Sequence, residues 1–180
     1  MQAIAAAEKI MRRYAADTGL DDPSRPPRRY LWTDAFGVCT FLGLYRQSGD
    51  EAWRRLALTL VDQVHQVLGR HRPEDSRRGW ISGLDEEAGR LRPTAGGLRI
   101  GKRFNERGPG APVDERMEWE RDGQYFHYLT KWMHALDCVA RTTRDTTYLE
   151  WALDLARAAH AGFVKVRADG SRHMCWKMSI

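Results

Sequence analysis

Carboxylates and tryptophans crowd the same stretches of this sequence. Trp32 precedes Asp34, Trp119 lies between Glu118 and Glu120, and Asp122, Gln124 and His127 follow. A saccharide site is built from such residues, because carboxylates serve as general acid and base at a glycosidic bond and aromatic faces stack on the apolar side of a sugar ring. Asp34, Asp122, Glu118 and Glu120 are therefore candidate catalytic groups, and Trp32, Trp119, Gln124, His127 and Arg99 candidate substrate contacts. Each acid also has a plainer use. Asp34 and Asp122 stand where a helix begins and a carboxylate meets unpaired backbone N–H groups, while Glu118 and Glu120 suit a solvated surface. If residues 117–122 are extended, Glu118, Glu120 and Asp122 share one side and raise one another's pKa.

Other chemistries are less well supplied. His127 and His134 lie two helical turns apart and can point the same way, but no HExxH-like spacing accompanies them. Cys39, Cys138 and Cys175 form an odd set without a CxxC pair, so they read as small buried hydrophobes, with neither a disulfide framework nor a metal site indicated. Gly96, Gly97 and Gly101 share only glycine content with a phosphate loop, and no cofactor is expected. The net charge of +5 suits an anionic ligand, yet the Arg pairs at 12/13, 28/29, 54/55 and 77/78 are scattered, which argues against nucleic acid. There is no apolar run of membrane-spanning length and no leader-like N-terminus, so the expectation is a cytoplasmic protein without a membrane partner.

The elements that must position these residues repeat. An offset of 95 lays residues 30–68 on 125–163 without a gap and pairs Tyr30 with Tyr125, Asp50 with Asp145, Leu60 with Leu155 and His65 with His160. The apolar positions stay in step, which predicts an all-α fold of antiparallel helical hairpins, the first over 30–68 and the second over 124–163. In each, an almost uncharged helix precedes a half-charged one. The first should lie inside a curved double layer, buried nearly all round, and the second should face water. Phe41, Leu44, Tyr125, Leu129, Trp132 and Leu136 are then buried, and Arg54, Asp62, Glu150 and Arg157 exposed. His65 and His160, near the ends of the outer helices, are expected to serve the helix dipole.

Between the hairpins, residues 69–123 hold ten of the sixteen glycines and show no helical period. Trp80, Ile81, Leu91, Leu98, Ile100 and Trp119 give this loop enough anchors to be ordered, with short strands expected at 80–82 and 90–91. The tight turns at 48–50 and 142–145 occupy one end of the hairpins, so the loop and the candidate residues gather at the other.

The openings Tyr30-Leu-Trp-Thr-Asp-Ala-Phe-Gly and Asp122-Gly-Gln-Tyr-Phe-His-Tyr-Leu-Thr-Lys-Trp, on this paired-helix repeat, resemble the six-hairpin glycosidase superfamily. In organisation the chain is similar to the unsaturated glucuronyl hydrolases and more distantly to the N-acylglucosamine 2-epimerases. The resemblance implies part of an (α/α)6 toroid, Asp34 and Asp122 as acid or base groups, Trp32 and Trp119 as sugar platforms, and a saccharide or uronic-acid-containing small molecule as partner. Six hairpins of roughly 45 residues need about 270. The 180 residues are therefore expected to hold two hairpins and, at 171–180, the start of a third, with self-association through the open ends of the arc. The alternative is a non-catalytic helical-repeat module that binds a protein or peptide on its concave face.

Overall fold

The computed structural model describes residues 2–108, 110 and 112–180 and is mostly helical. Helix α1 (Gln2–Asp17) leads into α2 (Leu31–Ser48) and α3 (Glu51–Leu68); the long loop carries α4 (Glu86–Leu91) and α5 (Glu115–Glu118). Strand β1 (Gln124–Tyr125) then opens α6 (Phe126–Thr143) and α7 (Thr147–Phe163), and the chain closes with β2 (Val164–Val166), β3 (Arg172–Met174) and β4 (Lys177–Met178). Helix α2 packs on α3, α6 on α7, and the first helices of the two hairpins, α2 and α6, pack side by side.

Both hairpin turns use a left-handed residue to end the first helix. Gly49 has φ 71° and Arg144, its equivalent at the offset of 95, has φ 60°. Glycine adopts this conformation without penalty, whereas arginine carries a Cβ into it. Asp50 restarts the chain as the N-cap of α3 by accepting from Ala52 N.

The core lies where the hairpins meet. Phe41, Leu42, Trp53, Leu60, Leu129, Trp132, Leu136 and Phe163 are almost fully buried. Leu44 and Tyr125 join them as expected, and Asp62, Glu150 and Arg157 are exposed; Arg54 is half-buried beside Glu51, at 3.1 Å. One expectation fails: α2 is not buried all round. Thr33 and Phe36 are exposed and Cys39, Thr40 and Gly43 half-buried along one stripe, because α1, α3 and α6 pack on the other sides of the helix and no element among the described residues covers this one.

His65 also departs from its expected role. It is buried, accepts a 3.1 Å hydrogen bond from Trp132 Nε1 and meets the Trp151 ring edge-on at 4.9 Å. Burial lowers its pKa to about 3, so the imidazole is neutral and has no cationic part in the dipole. It joins α3 to both helices of the second hairpin. His160, by contrast, is exposed.

Buried side chains tie the described residues of the long loop to the hairpins. Trp80, Leu98 and Ile100 are buried, while Leu91 is not. Residues 80–82 contribute only an isolated bridge, Trp80 to Arg70, and 90–91 belong to helix α4, whose N-cap Asp85 accepts from Ala88 N. A helical turn forms there because the cap satisfies one of its first N–H groups, an option that hydrophobicity does not reveal. The segment 171–180 forms strands: β3 pairs with β2, and β4 pairs with β1 in the register Tyr125 to Lys177, which brings Trp176 against the start of α6.

Candidate functional site

At the loop-rich end, the segment 98–100 stitches the hairpins together through its backbone. Leu31 N donates to Ile100 O, Ile100 N to Gly123 O and Arg99 N to Leu68 O, so the start of α2, the end of α3 and the entry to α6 share one short backbone. Arg99 and Asp122 complete the stitch. The Arg99 guanidinium donates to Asp122 Oδ2 at 2.5 Å and to the carbonyls of Val67 and Arg70, while Asp122 Oδ1 accepts from the backbone N–H of Gly101 and Gly123 at 2.9 and 3.1 Å. With 0% side-chain exposure, Asp122 is a structural carboxylate and offers no oxygen to solvent. Gln124 is used likewise: its Oε1 accepts from Leu98 N and its Nε2 donates to Gly96 O. A Cβ at Gly97, which has φ +85°, would stand 1.8 Å from that Oε1, so the glycine is required for the contact. Asp122, a candidate catalytic group, and Arg99 and Gln124, candidate substrate contacts, are thus all buried in one network.

The three alternating acids do not share a side. Asp114 caps α5 by accepting from Arg116 N and Met117 N, and the helical turn this creates breaks the extended alternation. Glu118 is drawn into a cluster with Arg107 at 3.1 Å, Arg121 at 3.7 Å and Lys177 at 3.9 Å. Glu120 points outward and Asp122 inward.

Asp34 is different. It is buried, with Oδ2 accepting from Tyr30 N at 2.8 Å and Oδ1 from the Tyr14 hydroxyl. Burial raises its pKa to about 6 against the opposing pull of Arg29, so the group exchanges a proton near neutrality. It lies in the wall of a cavity of about 890 Å³ that Arg25, Arg28, Arg29 and Arg103 also line, with Asp17 as the only other acid. Buried Arg29 donates to Thr18 O, and its Nε and Nη1 have no hydrogen-bond partner among the described residues. Positive charge dominates this cavity, which therefore favours an anionic group.

Tyr30 lines the same cavity, and its hydroxyl meets that of Tyr128 at 2.6 Å. From there aromatic rings run continuously across the mouth of the hairpins. Trp32 contacts Phe36 at 5.3 Å, Tyr128 at 5.0 Å and His127 at 5.7 Å. Tyr125 contacts Tyr128 at 5.1 Å and Trp176 at 5.2 Å, and Trp176 reaches Trp119 at 5.5 Å. The ends of this ribbon face solvent, with Phe36 48%, Trp176 53% and Trp119 59% exposed. Such exposure of large aromatic rings forfeits burial on the order of 2 kcal/mol per ring. Cations flank it: Lys102 Nζ lies 5.8 Å from the Tyr30 ring and Lys177 Nζ 5.7 Å from Tyr125.

The structure therefore gathers Trp32, Trp119 and His127 on one ribbon and Asp34 behind its Tyr30 edge. Trp176 and Tyr128 were missed, Trp176 because strand pairing between residues 124–125 and 177–178 leaves no trace in helical periodicity. Cys39, His134 and Cys138 also converge, with ligand atoms all within 4.8 Å. The offset of 95, which sets Cys39 opposite His134, and the i,i+4 spacing of His134 and Cys138 carried that signal. No helix among the described residues is long and apolar enough to cross a membrane. Neither protein-family models, curated proteins nor solved structures give a significant match to this chain.

Proposed function

We propose that this chain is part of an (α/α) toroid of six-hairpin glycosidase type and that it takes an acidic saccharide. The sugar rings lie on the aromatic ribbon and an acid substituent turns toward the arginine-lined cavity. The ribbon is the observation that carries the reading. A row of aromatic rings that is half-buried at Trp32, Tyr30 and Tyr128 and open to solvent at Trp119 and Trp176 offers stacking faces with polar edges, which suits the alternating apolar faces and hydroxyl rims of an oligosaccharide, whereas a peptide groove needs a continuous apolar channel. Asp34 supplies the protonatable carboxyl for an acid-catalysed step, and Glu120 is the acid left free to face solvent on the Tyr30 side; its charge contributes, after burial and the Tyr128 hydroxyl, to the raised pKa of Tyr30.

A second reading has its own support. Because Asp122 is sealed behind Arg99, the paired carboxylates of glycoside hydrolysis are not at hand in Asp34 and Asp122, which favours a module that binds without turnover. Titration of the purified chain with uronic acid disaccharides, followed by tryptophan fluorescence and by release of reducing sugar, separates the readings. Binding that Trp176→Ala abolishes is the expected result. Turnover that Asp34→Asn removes assigns the enzyme, and binding without turnover assigns the module. If no uronic acid disaccharide or amino sugar perturbs the fluorescence, the saccharide reading is wrong.

A further inference from the structure

We infer that Cys39, His134 and Cys138 form a three-ligand zinc site on the uncovered face of the paired inner helices. The site is independent of the saccharide reading.

Its geometry follows from the repeat. Helices α2 and α6 lie side by side, and the offset of 95 puts Cys39 and His134 at the same level of the two. Cys138 follows His134 by one helical turn, which stacks both side chains on one face of α6. The three ligand atoms, two Sγ and a ring nitrogen, lie within 4.8 Å of one another. His134 Nε2 and Cys138 Sγ are 3.6 Å apart. Zinc bonds of about 2.3 Å to sulfur and about 2.05 Å to nitrogen, at a tetrahedral angle, place those two atoms about 3.6 Å apart. The pair is thus spaced to chelate one ion without moving the helix.

The surroundings favour a ligand role over the alternatives. Two sulfurs and an imidazole suit zinc better than calcium or magnesium, which take oxygen. On binding, each thiol gives its proton to solvent as its zinc–sulfur bond forms. Both cysteines are half-buried and His134 is exposed, so a fourth ligand from solvent would complete the set. Room for it exists on α2 one turn beyond Cys39, where Gly43 stands opposite Cys138 and a Cβ would meet nothing within 4 Å. Water or an added ligand fits there, as in zinc sites with an open position.

The test uses the full chain, reduced with a phosphine, and cobalt(II) as the probe. One equivalent should produce sulfur-to-cobalt charge-transfer absorption with tetrahedral ligand-field bands, and zinc should displace it. The signal should be lost in Cys39→Ser, Cys138→Ser and His134→Ala and kept in Cys175→Ser. Should the first variants fail to fold, the wild-type chain still decides: zinc should protect Cys39 and Cys138, but not Cys175, from iodoacetamide, as read by mass spectrometry. Absence of the charge-transfer band, its survival in Cys138→Ser, or equal alkylation of all three thiols with zinc present would overturn the proposal. So would a reduced chain that binds no cobalt and closes a Cys39–Cys138 disulfide in air.

Discussion

Asp122 and Glu120 are two residues apart and belong to different worlds. Asp122 neutralises buried Arg99 and accepts backbone N–H groups from both sides of the stitch, so Asp122→Ala leaves an uncompensated guanidinium and should cost about 3–5 kcal/mol. Glu120→Ala, at an exposed position, should change stability by less than about 0.5 kcal/mol. Equal losses in a urea titration would mean that the network does not hold the loop to the hairpins. His65 makes the stability of the fold depend on pH on the acid side. Its folded pKa of about 3 lies below the ordinary 6.5, so the stability it supplies is full above pH 6.5 and is lost as the pH falls toward 3, at up to about 1.4 kcal/mol per pH unit. Asp34 runs the other way. Its folded pKa of about 6 is raised, so its contribution is full below about 3.8 and is lost as the pH rises through 6. His65→Gln keeps an acceptor for Trp132 Nε1 and cannot charge, so its stability should fall less steeply than wild type between pH 6.5 and 3 in denaturant titrations. A parallel acid limb in the two proteins would place the sensitive group elsewhere.

At the scale of elements, the second hairpin turn carries a cost that the first avoids. Arg144 holds the left-handed position that Gly49 holds in the first hairpin, so Arg144→Gly should stabilise the chain by about 1 kcal/mol, read as a raised urea midpoint at unchanged slope. A loss of stability would show that the arginine side chain contributes more than its backbone conformation costs. Trp132→Ala should cost about 3–5 kcal/mol and Glu150→Ala less than about 0.5, because the first empties the contact between hairpins and the second faces water. The helices were legible in the sequence because each carries several turns of apolar period, and the offset of 95 showed that there were two similar pairs. Helices α4 and α5 were not, since six and four residues are too few to display a period and only their caps, Asp85 and Asp114, announce them. The strands were illegible for a related reason: β1 and β4 are two residues each and exist through pairing across more than fifty positions.

For the whole molecule, the tight turns at 48–50 and 142–145 set the candidate residues at one end of the hairpins, but residue type alone does not say which of them are buried. Trp32, Trp119 and His127 line the ribbon, while Asp122, Arg99 and Gln124 build the floor that holds the hairpins together. Aromatic rings and sealed carboxylates look alike in a sequence, because the same residue types serve cores and sites. The central claim is that the exposed ribbon receives a saccharide, and the seven tryptophans provide a map of it. Trp32, Trp119 and Trp176 belong to the ribbon; Trp53, Trp80 and Trp132 are buried in the core, and Trp151 lies on the outer helix. Indole resonances of the nitrogen-15-labelled chain, assigned by single Trp→Phe replacements and titrated with a uronic acid disaccharide, give the most direct measurement. The account expects shifts in Trp32, Trp119 and Trp176 with the other four unmoved. Shifts confined to Trp151, or none at saturating sugar, would contradict it.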